Sequence, residues 1–297
     1  MLLKTVAFIG AGRVGTALAI LLGRSGYRVV GAASRSLESA ERLCRLAGGT
    51  PWPDPATAAG QAELVFLTTP DRLLAPLAGD LAARGAFRAG QIVIHTSGAL
   101  SSEVLRPVKS SGAFALSLHP LQAFASFEQA LSLLPGSSLF LEGDPEAVAA
   151  GREVVRALGG RPCEIPTAAK PLYHAAACIA SNYLVTLCRL SLSLYEKIGI
   201  PQEQALEAII PLIRGTVANI KALGVPAALT GPIDRGDLVT ISGHLEALER
   251  SAPEILPIYR ALARETARVA EEKGGLSATE ATEVMELLSV QKEDTHG

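Results

Sequence analysis

Five groups of residues in this chain have the types and spacing that chemistry requires. The first is Gly10-Ala11-Gly12-Arg13-Val14-Gly15, a GxGxxG run between a short apolar stretch and an amphipathic one. That is the context in which the motif binds a nucleotide. Gly10 would make the tight turn, Gly12 would let backbone approach a pyrophosphate, and Gly15 would allow close helix–strand packing. The N–H groups of Arg13 and Val14, at the helix start, would face the anion. An ordinary glycine turn is the competing reading. The second group, Ser34-Arg35-Ser36, lies about 20 residues on, where a site selective for NAD carries an acidic residue. A guanidinium between two hydroxyls suits a 2′-phosphate instead, so NADP(H) is the expected cofactor. Alternatively, one of the serines caps the next helix and Arg35 is a solvated charge. Thr68-Thr69-Pro70 lies where the cofactor's ribose would pass, or else caps a helix beginning near Arg72.

The fourth group would carry the reaction. His95-Thr96-Ser97-Gly98 and Leu118-His119-Pro120 each close an apolar run, and ligands of an open α/β sheet gather at such strand ends. Ser97 is either a site hydroxyl or part of a turn, and His119 either a site group or a packing histidine. Lys170-Pro171-Leu172-Tyr173-His174 opens a long helical segment. Lys170 and His174 fall about 40° apart on one helix face. Ser181 falls on that face too, whereas Asn182 lies about 120° from Lys170 and need not share the pocket. A lysine in the first helical turn meets the positive end of the dipole. With partial burial its pKa would fall from about 10.4 toward neutrality, which makes it a usable proton donor. A solvated lysine and a core histidine are the alternative. In the fifth group, Thr230 to Asp237, Arg235 is placed to clamp a substrate carboxylate, with Asp237 beside it. Equally, the two could bridge or cap helices.

These groups must be held by two different kinds of structure. Short, nearly continuous apolar runs at Thr5–Ile9, Arg28–Ala33, Leu64–Thr68, Ile92–His95, Ala113–His119 and Ser138–Leu141 alternate with helical patterns. That alternation predicts a doubly wound α/β domain over residues 1–165 with both sheet faces covered. From 166 to 297 no convincing strand occurs, and segments 171–198, 202–223, 241–272 and 278–291 predict an all-α domain. The final KEDTHG reads as a frayed tail. Leu184–Leu194 is apolar around more than one helix face, which calls for neighbours beyond a single bundle and predicts a homodimer through the helical domain.

Composition narrows the function classes. Lys plus Arg number 27 against 29 Asp plus Glu, and aromatics are 4%, so neither a basic nucleic-acid surface nor a base-stacking platform is expected. Cys44, Cys163, Cys178 and Cys188 form no CxxC and have no nearby histidine at metal spacing, which suggests free thiols, no metal and a reducing compartment. Glycines and Arg13 interrupt the apolar N-terminus, so it does not read as a signal peptide. Ala175–Tyr195 contains Ser181, Asn182, Thr186 and Arg189 and reads as a buried helix rather than a membrane span. The expected setting is cytoplasmic, with no membrane partner.

The segments VAFIGAGRVG, VFLTTPD, HTSGALSSEVL, SLHPLQAF, KPLYHAAACIASNY and LTGPIDRGD together resemble one family. It is the Rossmann-like oxidoreductases with a C-terminal domain of unknown function 2520, relatives of 6-phosphogluconate dehydrogenase and ketopantoate reductase. The resemblance implies NADP-linked hydride transfer, a helical dimerisation domain and an active site between domains. It favours reduction of a small 2-oxo acid, ketopantoate first, with Lys170 protonating the developing alkoxide. His174 and Ser97 would orient the carbonyl, and Arg235 would hold the carboxylate. The chain departs from its relatives in having His174 where the hydroxyacid enzymes have asparagine after the lysine, the asparagine here being Asn182. His119-Pro120 resembles the His-Pro of prephenate dehydrogenases. Other readings are an imine or hydroxyacid enzyme and a non-catalytic NADP(H) sensor.

Overall fold

The computed structural model describes residues 4–289. The chain begins with β1 (Thr5–Ile9), α1 (Arg13–Arg24), β2 (Arg28–Ala33), α2 (Leu37–Ala47), β3 (Thr50–Trp52), α3 (Pro55–Gly60), β4 (Leu64–Leu67) and α4 (Asp71–Ala83). It continues through β5 (Ile92–His95), β6 (Phe114–Pro120), α5 (Phe127–Leu133), β7 (Ser138–Gly143), α6 (Pro145–Ala157), β8 (Arg161–Glu164) and α7 (Lys170–Ala180). Three-ten turns cover Ser102–Ser111 and Thr167–Ala169. The strands form one sheet of order β3-β2-β1-β4-β5-β6-β7-β8. Neighbours are parallel except β6 and β7, so the last two strands run against the first six.

The central strands show why both faces had to be covered. Val6, Phe8, Leu64 and Phe66 point into one apolar cluster, and Ala7, Ile9, Val65 and Leu67 into the other. Side chains alternate across a strand, so a run apolar at every position needs a core on each side. β3 and β8 were not expected. They are short edge strands containing Pro51 and Pro162, paired through their neighbours rather than by any hydrophobic alternation of their own.

The chain divides into two compact units after Asn182, so α7 belongs with the sheet rather than starting the second unit at 166. The second unit holds α8 (Asn182–Lys197), α9 (Gln202–Leu223), α10 (Val225–Ala228), α11 (Leu238–Ser251), α12 (Leu256–Lys273) and α13 (Ala278–Ser289). The expected 241–272 segment is two helices, parted where Ala252 (φ −153°, ψ 54°) precedes Pro253. The expected tail lies outside the described residues. Ile241, Leu245, Ala263, Ala267, Val284 and Leu288 form the main core of this unit.

One expectation is corrected. The Ala175–Tyr195 stretch is neither continuous nor buried: the helix breaks at Ser181, and Ile179, Leu184, Val185 and Leu187 are exposed. By length and composition Thr167–Lys197 could cross a membrane, and 6% of its most apolar window is buried in the chain. The physical reason is that α8 packs Leu192 against Ala205 and Ile209, and Leu190 and Leu194 against Leu248, Ala252 and Ile255, while Leu184, Val185 and Leu187 stay exposed.

Candidate functional site

Two concavities in the sheet-containing unit are bordered by the residues singled out above. The first, about 330 Å³, is lined by Gly10, Ala11, Gly12, Ser34, Arg35, Ser36, Ser39, Arg42, Thr68, Thr69, Pro70, Arg72 and Leu73. Residues from three separate sequence motifs therefore meet in one place. The glycines do different work. Gly10 has φ +110°, and a Cβ there would lie 2.6 Å from the Thr68 carbonyl oxygen. A Cβ on Gly15 would strike Thr68 Oγ1 and the Gly10 carbonyl, so this glycine permits α1 to sit against β4. A Cβ on Gly12 would meet nothing within 4 Å, which leaves its backbone open to a ligand.

These residues fit a dinucleotide. Gly12 caps α1 without a side chain, so the first amides of the helix, from Arg13 and Val14, keep the donors that a phosphate needs. Thr69 Oγ1 is a buried hydroxyl with no hydrogen-bond partner, as a group awaiting a ribose would be. Thr68 Oγ1 donates to the Gly10 carbonyl at 2.6 Å and so braces the glycine loop. The helix-cap reading of this segment is not what forms: α4 starts at Asp71 behind Pro70, with no side-chain cap. Ser36 does cap α2, accepting from the Ser39 N–H at 3.2 Å, and it also borders the pocket. Arg35 is exposed there. Arg42 and Arg72, which the sequence reading did not single out, add two more guanidinium groups to the same rim. Arg42 lies on α2 three residues after Ser39, which borders the same pocket, and that spacing was the available signal.

The second concavity, about 720 Å³, is bordered by His119, Phe140, Tyr173, His174, Cys178, Ser181 and Asn182 among others. Beside it a polar row crosses three strands in register: His95 on β5 faces Ser117 on β6, which faces Glu142 on β7. All three are buried, and Lys170, at 0% exposure, caps the row. Its Nζ donates to Ser117 Oγ at 2.6 Å and lies 5.5 Å from the centre of the Tyr173 ring. Burial pulls the Lys170 pKa down to about 8, opposed by the carboxylates of Glu142 and Asp71. Glu142 accepts the Ser102 N–H and hydroxyl, each at 2.7 Å.

The same burial keeps the histidines neutral. His95 is lowered to about 3, first by desolvation and then by the Lys170 charge. Its ring is fixed between the Ser97 N–H (3.2 Å) and the Ser101 carbonyl (3.2 Å). His119 is lowered to about 4 by desolvation, then by the charges of Lys170 and His174. Its Nδ1 is 2.6 Å from the Tyr173 hydroxyl, whose pKa burial raises. His119 and His174 crowd around Gly98: a Cβ there would lie 2.7 Å from His119 Nε2 and 2.8 Å from His174 Cδ2.

Several expected residues take other positions. The Ser97 hydroxyl donates to Asp71 at 2.8 Å and accepts the N–H groups of Ala99 and Leu100. Asn182 does border the cavity together with Ser181, because the helix breaks at Ser181 and the 100° count no longer holds. Asp237 caps α11, accepting from the Thr240 N–H at 3.0 Å, which is the structural alternative to substrate binding. Arg235 is exposed in its own unit. Ser117, Glu142 and Tyr173 were missed. Ser117 sits two residues before His119 on the same strand face, and Glu142 is an acid in an otherwise apolar strand. Among the described residues no His, Cys, Asp and Glu cluster could hold a metal.

Comparison with known proteins supplies the family. Residues 3–120 match the Rossmann-like domain and residues 137–266 match the domain of unknown function DUF2520. No curated protein sequence matches significantly. Among solved structures, a protein from Thermotoga maritima is similar with a TM-score of 0.71 and 27% identity, over 91% of this chain and 99% of that one. A candidate NADP oxidoreductase from Bacteroides fragilis has a TM-score of 0.68 and 24% identity, over 90% and 98%. An imine reductase variant from Myxococcus stipitatus, in complex with NAD+, has a TM-score of 0.60 and 18% identity, over 95% and 99%. The two family matches follow one another along most of the chain, so the protein belongs to the Rossmann-like proteins that carry a DUF2520 domain in their C-terminal part.

Proposed function

We propose that the protein is an NADP-dependent oxidoreductase that reduces the carbonyl of a small 2-oxo acid, ketopantoate being the first compound to test. The observation that carries this reading is Lys170. It is a fully buried amine whose pKa burial lowers to about 8, against the Tyr173 ring that walls the larger cavity. The glycine cradle and the three arginines supply the reason to choose a phosphorylated nicotinamide cofactor. When bound, NADPH supplies the hydride, and reduction of the carbonyl consumes one proton and yields the hydroxy compound and NADP+. His119 and His174 orient the acceptor oxygen, and Lys170 is the source of the proton. Such acid catalysis contributes a rate factor of about 10²–10⁴.

A specific feature favours a second substrate class. No arginine or lysine is among the residues bordering the larger cavity, which suits an imine as well as an oxo acid. The similarity to an imine reductase agrees with this. The deciding experiment follows NADPH absorbance with a panel of 2-oxo acids, imines and hydroxyacids. Multiple turnover with a 2-oxo acid supports the leading reading, and turnover confined to imines supports the second. NADPH binding without turnover on any of them leaves a sensor. The exposed apolar faces of α8 and α9 favour a homodimer, the second copy covering Leu184, Val185, Leu212 and Val217.

A further inference from the structure

We propose that Tyr173 is a positioning residue that fixes the tautomer of His119, so that the imidazole presents an Nε2–H donor to the substrate cavity. The proposal rests on reading that cavity as the place where the acceptor oxygen or nitrogen binds. Its geometry is direct: the phenol hydroxyl lies 2.6 Å from His119 Nδ1, and the rings meet edge to face at 5.7 Å and 78°. Tyr173 is itself held, its ring lying 4.3 Å from that of Phe140 and under the Lys170 ammonium at 5.5 Å.

A neutral imidazole has one donor nitrogen and one acceptor, and the partner of one nitrogen decides the state of the other. The charged and titratable groups near this pair all favour the neutral ring. Lys170 on α7 and His174, one turn later, oppose a positive charge on His119. His95 on the neighbouring strand is neutral for the same reasons. On the other side, burial and the Cys163 thiol on β8 keep the proton on the Tyr173 oxygen. A phenol O–H is a stronger donor than an imidazole N–H, and a bare imidazole nitrogen a stronger acceptor than a phenol oxygen, so the phenol donates to Nδ1 and the ring proton resides on Nε2. That nitrogen lies against Gly98, where a Cβ would come within 2.7 Å of it, so glycine there is what admits the ring in this position. Gly98 therefore permits the placement of this ring, and Tyr173 sets its polarity. His119 was visible in the sequence as a strand-end histidine, but its polarity depends on a residue 54 positions later.

The test is long-range proton–nitrogen NMR of histidine-labelled protein without cofactor, with His119 assigned by loss of its signals in His119→Gln. In the wild type His119 is expected as the Nε2–H tautomer at neutral pH. In Tyr173→Phe, which keeps the ring packing, it is expected to become a mixture. A wild-type His119 protonated on Nδ1, or a Tyr173→Phe protein with an unchanged tautomer, overturns the proposal. A second reading is kinetic: with a turned-over substrate, Tyr173→Phe should lower kcat about tenfold, less than the about 10²–10⁴ lost with a positioned acid–base group itself, and leave NADPH affinity unchanged. Equal kcat in the two proteins overturns the role in turnover. The NMR result stands whether or not the protein reduces any compound tested, so its failure and that of the reductase reading are distinguishable.

Discussion

Ser117 and Glu142 stand directly opposite each other across the one antiparallel step of the sheet, and Lys170 answers to both. Its ammonium is hydrogen-bonded to the serine at 2.6 Å and held charged by the carboxylate. Removing the carboxylate charge in Glu142→Gln takes away a cause that raises the Lys170 pKa. The pKa should then fall below its present value of about 8, by about one unit or more, as expected for a close opposite charge. If the protonated amine is needed, activity is lost as pH rises through this pKa. The basic limb of kcat/KM against pH should therefore move to lower pH in the variant, and an unmoved limb rejects the coupling.

Replacing the amine itself is more severe. Lys170→Ala should lower kcat/KM by about 10²–10⁴, the usual contribution of a positioned proton donor. NADPH affinity, measured by fluorescence titration, should change little, since Lys170 lies outside the glycine-lined pocket. Full activity in Lys170→Ala would remove it from the reaction.

Acid should destabilise the fold through the two buried histidines. In the unfolded chain an imidazole takes up a proton near pH 6.5, whereas folded His95 and His119 resist until about 3 and about 4. Below pH 6.5 the unfolded state binds more protons, so stability falls as pH drops through that window toward the folded values. Calorimetry from neutral pH down to pH 4 should show a steadily falling Tm. A flat Tm across that range contradicts the buried, neutral assignment.

Cofactor choice rests on the arginine rim. Arg35→Ala should weaken NADPH by about 10–150-fold, the range of a charge-assisted contact of about 1.5–3 kcal/mol, while NADH binding changes far less. Isothermal titration with both cofactors checks this. Equal weakening of the two would mean that Arg35 does not read the 2′-phosphate.

The helical unit predicts its own assembly. Val185 is 71% and Leu212 is 68% exposed in the single chain, an unfavourable display of apolar surface. Light scattering should give a mass near twice 30.9 kDa, and Val185→Glu or Leu212→Glu should shift it toward the monomer. A wild-type mass near 31 kDa rejects the dimer.

The sequence by itself determined what depends on local order along the chain. The glycine run had to be a turn before a helix, because Gly10 needs a positive φ and its neighbours alternate from strand to helical periodicity. Apolar runs too continuous for a one-faced strand announced a sheet covered on both sides, and Lys170 at a helix start announced an amine under dipole stress. Short edge strands escaped because pairing with a neighbour, not their own pattern, makes β3 and β8. Only the tertiary structure decided the burial and company of the lysine. Ser117, Glu142 and Lys170 come from strands and a helix far apart in sequence, and register alone brings the first two face to face. Asn182 entered the cavity wall because the helix is interrupted at Ser181 (φ −118°, ψ −66°), a break that no periodicity count contains. The partner of His119 is likewise long-range, since a hydrogen bond between residues 119 and 173 exists only once the helix lies against the sheet.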